Sequence, residues 1–346
     1  MFRSLISIAV AGSLALFSLV LPAAVSPVLA DEPVKINIGW AQAPGHLAPL
    51  LDELAQKHPE IMPHDGKTYI ATAVRFAGSS PQIQAMATGD LQIAAFAPTS
   101  LALAITNANL DVRVVSDVIQ TGRDGYFDQP YMVLKNGPIK TIADVKGKRI
   151  ATNAIGSSSD AAMRVMFRKH GIQDSDFTTV EANFANMVPM IGDDKVDLIA
   201  VMPQFQHQLD TSGKYRTLFT MGQAVGPSQT VLWAITEDFI KANRPALVDF
   251  FEDHIRAVRW FLDPKNRDEA LAIAVDVTKQ QPADLAYAFT KQDFYRSPDC
   301  LPNLKAAQGE IEDSAKLGVI PKVVQLEPGY VDLSMVKEAR LRIDGK

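Results

Sequence analysis

The chain has 346 residues, a formal net charge of −5 at neutral pH, and one cysteine, Cys300. It has no basic run interleaved with aromatics, which argues against nucleic acid as a partner, and one cysteine excludes an intramolecular disulfide. The length exceeds what a single core comfortably serves, so two domains are expected.

Met1-Phe2-Arg3 is a short basic start, residues 5–25 are almost wholly apolar, and Val28-Leu29-Ala30 has the small-x-small form of a signal-peptidase site. This pattern predicts a cleavable signal peptide over residues 1–30, cut before Asp31. A membrane anchor is the competing reading, because the apolar run nearly reaches bilayer length. Pro22, Pro27 and Ala30 break the run where processing would occur. Loss of Arg3 with the leader takes the charge to −6. The cleavage site carries no cysteine, so no lipid anchor is expected. An exported, disulfide-free, unanchored chain fits a bacterial periplasm.

Beyond the leader, strand-like and helix-like runs alternate, which predicts an α/β architecture with mainly parallel sheets. Residues 34–40 alternate as a first strand, and Leu47, Leu50, Leu51 and Leu54 repeat at helical spacing. Residues 69–76 read as strand, Ile83, Met86 and Ala87 as a helix face, and 91–96 as strand. Pro98-Thr99-Ser100 opens a helix with proline in its tolerated first turn. Residues 112–119 return to strand.

A second, similar unit follows, with strands at 131–134 and 148–153, a helix over 160–170 closed by Gly171, and strands at 177–181 and 196–201. Ala87-Thr88-Gly89-Asp90-Leu91-Gln92-Ile93-Ala94 is echoed by Ile191-Gly192-Asp193-Asp194-Lys195-Val196-Asp197-Leu198-Ile199-Ala200, a helix ending at Gly-Asp that feeds an apolar strand. From Glu237 the chain reads as mostly helical, with Leu247, Phe250, Phe251, Ile255, Val258 and Phe261 on one apolar face. Further helical runs are expected near 270–277, 285–290 and 304–317, and residues 321–332 read as an extended tail. A strand at 231–235 would complete the first sheet. The chain would then cross between lobes near 121–127 and 220–227, stretches whose glycines suit a hinge.

Two Gly-Ser loops carry the candidate binding chemistry. Phe76-Ala77-Gly78-Ser79-Ser80-Pro81-Gln82 and Ile155-Gly156-Ser157-Ser158-Ser159-Asp160 each join a strand to a helix. Such a turn offers backbone N–H groups, hydroxyls and a positive helix end to an anion. One serine suffices for an N-cap, so three successive hydroxyls favour a ligand contact. An acidic chain must meet an anion with such local donors. Trp40, Phe76, Phe96, Tyr126, Phe127, Phe184, Phe205 and Trp233 lie at or near strand ends, where most aromatics are core. So many near one cleft suit an organic ligand with an apolar body. Arg75, Arg123 and Arg164 are forks for a carboxylate or sulfonate, with Arg123 in the expected hinge the first choice. The six histidines show no metal-ligand spacing, and no nucleophile elbow, phosphate loop or dinucleotide fingerprint occurs. No cofactor and no metal are expected.

These stretches, in order, resemble the periplasmic solute-binding proteins of ABC importers for sulfonates, taurine and nitrate. The resemblance rests on Val34-Lys35-Ile36-Asn37-Ile38-Gly39-Trp40, Gly78-Ser79-Ser80-Pro81-Gln82, the Thr88-Gly89-Asp90 exit and Gly137-Pro138-Ile139-Lys140-Thr141-Ile142-Ala143-Asp144-Val145-Lys146-Gly147. It extends through residues 192–201 to Lys316-Leu317-Gly318-Val319-Ile320-Pro321. Where many members carry a tryptophan after the strand ending at Val201, this chain has Met202-Pro203-Gln204-Phe205.

The resemblance implies a two-lobed, type II Venus-flytrap fold with a cleft between lobe I (31–124 and 223–346) and lobe II (125–222). It implies a site that includes Gln42, Gly45, Gly78, Ser79, Ser80, Phe96, Pro98 and Thr99 in lobe I, to which the reading of the residues adds Trp40 and His46. From lobe II it implies Gly156, Ser157, Ser158, Ser159, Asn183, Phe184 and Asn186, and the reading of the residues adds Arg123 and Tyr126 from the crossing and Phe205. The implied role is capture of a small anion for an inner-membrane ABC permease, without enzymatic activity; the aromatics favour an organosulfonate or aromatic carboxylate, and with no oligomerisation pattern in the sequence a monomer is expected. The alternatives are a pyrimidine-precursor binding or biosynthetic protein of thiamin metabolism, and a sensory binding protein.

Overall fold

The computed structural model describes residues 32–123 and 125–345. The expected leader, its cleavage site before Asp31 and the boundary residue Asp124 lie outside the described residues. The first part of the chain runs β1 (Val34–Trp40), α1 (Leu51–Lys57), β2 (Tyr69–Arg75), α2 (Ser80–Ala87), β3 (Ile93–Phe96), α3 (Pro98–Thr106) and β4 (Val112–Thr121). It continues through β5 (Pro130–Leu134), β6 (Arg149–Thr152), α4 (Ser158–Lys169), β7 (Thr178–Glu181), α5 (Phe184–Gly192), β8 (Leu198–Ala200), α6 (Pro203–Thr211), β9 (Tyr215–Thr220) and α7 (Met221–Val225). The last part is β10 (Ser228–Thr236), α8 (Glu237–Leu262), α9 (Arg267–Thr278), α10 (Leu304–Lys316) and α11 (Ser334–Ile343).

The strands form two five-stranded sheets, in the orders β2-β1-β3-β10-β4 and β7-β6-β8-β5-β9. Helices flank each, giving the two-lobed α/β fold. The chain passes from the first sheet to the second between Thr121 and Pro130 and returns between Thr220 and Ser228.

Both sheets are mixed rather than mainly parallel. β1 is parallel to β2 and β3, and β6 to β7 and β8, but β10 and β5 are antiparallel to their neighbours. The cause is the crossing. β1, β2, β3 and β4 all end at the gap between the sheets, so the strand that arrives from that gap must run the other way. The same holds for β5 in the second sheet. As a result, the C-termini of β1–β4 and β6–β9 converge on one cleft, the usual ligand position in open α/β sheets.

Local packing follows the sequence pattern. In β1, Ile36 and Ile38 point into the core while Lys35 is exposed. Gly39 has no room for a side chain, because a Cβ there would overlap Gln82 Oε1. The buried Gln82 amide uses that space to donate to Gly78 O and to accept from Ala95 N–H, tying the β2 loop to β3. The six apolar residues expected on the α8 face are all buried. α8 kinks at Asn243, two residues before Pro245. The paired Gly-Asp exits occupy equivalent places, α2 to β3 and α5 to β8.

Three further expectations differ from the structure. The run from Leu47 begins as a 3₁₀ turn over Ala48–Leu50 before α1. Residues 285–290 form only the end of a 3₁₀ turn and a following turn. The tail at 321–332 is followed by α11, whose Met335, Val336 and Ala339 are buried. The short apolar stripe of α11 (three buried residues in ten) gives little periodicity to read. Arg342 to Asp249 at 2.9 Å and Arg259 to Asp344 at 3.1 Å hold it on α8. Among the described residues no helix is long and apolar enough to cross a membrane.

Candidate functional site

The two Gly-Ser loops meet across the cleft. Ser80 Oγ donates to Ile155 O at 2.6 Å, Asn153 Nδ2 donates to Ala77 O at 2.9 Å, and Ser100 Oγ donates to Gly156 O. Gly78 permits this approach, since a Cβ there would lie 2.7 Å from Asn153 Nδ2. Gly156 has φ +79°, a conformation that favours glycine.

Behind this contact lies an inner chamber of about 40 Å³. Of the expected site residues, Gln42, His46, Gly78, Ser79, Ser157, Ser158, Ser159 and Phe184 line it. It shares Ala41, Gln42 and Phe184 with an adjacent outer chamber of about 680 Å³. Asn183, Phe184 and Phe205 line the outer chamber with Arg75, Phe76 and four glutamines, Gln42, Gln204, Gln208 and Gln280. Tyr126 lines a third space, a groove of about 850 Å³ between residues 125–128 of the first crossing, α6 and residues 283–292. Gln204, Gln208 and Asp284 are common to that groove and the outer chamber.

The remaining expected residues line none of these spaces. Phe96, Pro98 and Thr99 are buried where β3 enters α3. Ser80 and Gly156 are spent on the contact between the loops. Asn186 donates its N–H to the Asn183 side chain, the N-cap of α5. Trp40 lies under Arg75, whose guanidinium carbon is 5.6 Å from the indole centroid. Gly45 gives its carbonyl to Arg296. Arg123 donates to Gln120 Oε1 at 2.7 Å and stacks on Tyr295. Arg164 is bound to Asp160 and Asp174, both at 2.8 Å, within the second lobe.

The expected anion-binding loops have partly satisfied themselves. In the second loop, Gly156 N–H donates to Asp160 Oδ2 and Ile155 N–H to Glu181 Oε1, so two of its donors already serve the chain's own carboxylates. Ser157 Oγ caps α4 and donates to Asn153 Oδ1. In the first loop, Ser79 Oγ accepts from Ala97 N–H. Burial pushes the Asp160 carboxyl up in pKa, opposed by its bond to Arg164. Ser158 and Ser159 head α4, where N–H groups lack an intrahelical acceptor, and both line the inner chamber.

Several lining residues carried no sequence signal. Gln129 is the last residue of the first crossing, and Thr230 lies just past the second. Ser159 Oγ donates to Gln129 Oε1, and Thr230 Oγ1 donates to Thr121 Oγ1. Residues that flank a crossing must border the cleft, and that rule would have found them. Met202 and Phe294 complete the inner wall. Arg296 shapes it from behind. Its guanidinium donates to the carbonyls of Pro44 and Gly45 and pairs with Asp293 at 3.0 Å, with both side chains buried. Burial, and then the Arg296 charge, lowers the pKa of His46 to about 3, so its imidazole is neutral at physiological pH.

Away from the cleft, His64, Asp249 and Glu252 bring ligating atoms within 4.8 Å of one another. Arg342 and Arg256 already hold the two carboxylates, so a cation would have to displace a guanidinium.

The family described as "NMT1/THI5 like" matches residues 72–266, more than half of the chain. Among solved structures, the fold is similar to that of the alkanesulfonate-binding protein SsuA from Xanthomonas axonopodis pv. citri bound to MOPS. That match has a TM-score of 0.66 at 20% identity, covering 87% of this chain and 99% of that one. The periplasmic aliphatic sulphonate binding protein SsuA from Escherichia coli has a TM-score of 0.60 at 17% identity, covering 86% and 97%. The periplasmic nitrate-binding protein NrtA from Synechocystis PCC 6803 has a TM-score of 0.67 at 13% identity, covering 91% and 90%. At these identities the likeness establishes the two-lobed binding-protein fold. No curated protein matches the sequence.

Proposed function

The chain belongs to the NMT1/THI5-like family, and we propose that it is the periplasmic solute-binding component of an ABC importer. It captures a small organic anion, an organosulfonate or aromatic carboxylate, between lobe I (31–124 and 223–346) and lobe II (125–222), and hands it to an inner-membrane permease. It works as a monomer exported through its cleaved leader. The observation that carries the reading is the cleft itself, an outer chamber with aromatic walls, amide side chains and one cationic group, Arg75, beside a smaller chamber with no charged lining residue. Apolar walls with a few placed polar groups are the usual make-up of a small-molecule site.

A second reading, a pyrimidine-precursor binding protein, is favoured by the four glutamines beside Phe184 and Phe205. Amides that both donate and accept suit the edge of a flat heterocycle.

A thermal-shift screen of the chain from Asp31 onward tests both. The panel holds alkanesulfonates, taurine, nitrate, bicarbonate, aromatic mono- and dicarboxylates, and thiamin-pyrimidine precursors. A ligand at 100 times its Kd stabilises the fold by about 2.7 kcal/mol. A shift with an organic anion and no turnover supports the first reading, and a shift confined to the pyrimidines supports the second. No shift with any member removes both.

A further inference from the structure

Charge is distributed unevenly along the cleft. Among the described residues lining the inner chamber, none carries a formal charge, and His46 is held neutral by burial. The loop ahead of α4 already serves the carboxylates of Asp160 and Glu181. Those two N–H groups are therefore not available to an anion at the head of α4. An anion pushed into this space would lose its water without gaining a counter-charge. At about 40 Å³, the chamber also admits only the tip of a solute.

The outer chamber is different. Arg75, at the end of β2, is exposed and has no ion pair among the described residues. Its guanidinium lies against the Trp40 indole, which limits its conformations while leaving N–H groups for a ligand. Phe76, Phe184 and Phe205 supply apolar walls for the body of a ligand. Asp284, on the same chamber, repels a second negative group.

We propose that the solute is elongated and bifunctional, with its anionic group held outward on Arg75 and an uncharged hydrogen-bonding tip inward against Gln42, His46 and Ser158. This rests on the binding-protein reading above. The guanidinium fork offers two parallel N–H bonds to a carboxylate or sulfonate. The inner groups, an amide, a neutral imidazole and a hydroxyl, both donate and accept, so they suit a hydroxyl, amide or ring-nitrogen tip. Solutes that are anionic at both ends are disfavoured, because their second charge has no partner.

The test is a ligand–protein double-mutant cycle by calorimetry, with three probes, 4-hydroxybenzenesulfonate, its neutral analogue 4-hydroxybenzenesulfonamide, and benzene-1,4-disulfonate. Wild type and Arg75→Gln are compared, with melting curves as a check on folding. The wild type should prefer the sulfonate to the sulfonamide by about tenfold, as expected for a charge-assisted bond. That preference should collapse in Arg75→Gln, and the disulfonate should bind more weakly than the hydroxysulfonate. A sulfonate preference that survives in Arg75→Gln, or a disulfonate that binds best, overturns the proposed orientation while leaving the binding-protein reading intact. Failure of all three probes to bind at millimolar concentration overturns the orientation for this ligand class together with the sulfonate reading.

Discussion

Replacing Gly78 with alanine tests whether the contact between the two loops sets the closed state. Gly78 does not have a positive φ, so alanine is acceptable to its backbone and only space is at issue. Its Cβ would lie 2.7 Å from Asn153 Nδ2 and 3.2 Å from both Ala154 Cβ and Ser157 Cβ, all on the opposite lobe. Comfortable carbon contacts begin near 3.5 Å, so the lobes must retreat by roughly half an ångström. Retreat stretches the bonds from Ser80 to Ile155 and from Asn153 to Ala77. Overpacking of this kind costs about 1–3 kcal/mol, which shifts an open–closed equilibrium by about 5- to 150-fold. The cost falls on closure and not on either lobe's core, so the unfolding midpoint should stay near that of the wild type. Small-angle scattering of the ligand-free protein should show a larger radius of gyration, and every ligand should weaken by the same factor. Gly39→Ala is the contrast. Its Cβ would strike Gln82 within the first lobe, so it should lower the melting temperature instead. If Gly78→Ala leaves both scattering and affinity unchanged, the loops do not govern closure.

Two further substitutions probe buried charge. Arg296→Met leaves Asp293 buried without its cation and strips the donors from the Pro44 and Gly45 carbonyls. It should cost about 3–5 kcal/mol in urea unfolding, and a loss under 1 kcal/mol would show that the pair is dispensable. Glu310 is buried against Ser228 at the start of β10, and burial raises its pKa from the usual 4.5 to about 7. The folded protein therefore keeps a proton that the unfolded chain releases between pH 4.5 and 7. Stability contributed by this group falls as pH rises through that window and stays low above it. Glu310→Gln should remove the fall, worth at most ~3 kcal/mol, and a wild-type-like stability difference between pH 5 and pH 8 in the variant would refute the assignment.

Much of the architecture was legible in the sequence because it is written in local terms. The alternation in β1, the proline that opens α3 and the stripe of Leu247, Phe250 and Phe251 on α8 each reflect burial at a fixed period, which neighbours in sequence reveal. The Gly-Ser loops were legible as turns for the same reason. α11 was missed because its apolar stripe is too short to stand out, and its place on α8 is fixed by distant partners such as Asp249. Strand direction was also missed, since a strand's sense relative to its neighbours depends on where the chain enters the sheet.

The division of labour at the cleft was decided by tertiary structure. The sequence by itself determined that Gly78, Ser79, Ser157 and Ser159 end strands and begin helices, because backbone freedom and capping are properties of a few adjacent residues. It did not determine what their donors would meet. Ser80 faces Ile155, the Ile155 N–H faces Glu181, and Arg296 reaches back to Pro44, across separations of 75, 26 and 252 residues. Arg75 and Arg123 are alike in sequence, two arginines near strand ends. The fold places one on the outer chamber and the other against Gln120 and Tyr295. Charge acts through space, so its role is set only once the chain has chosen which groups lie beside it.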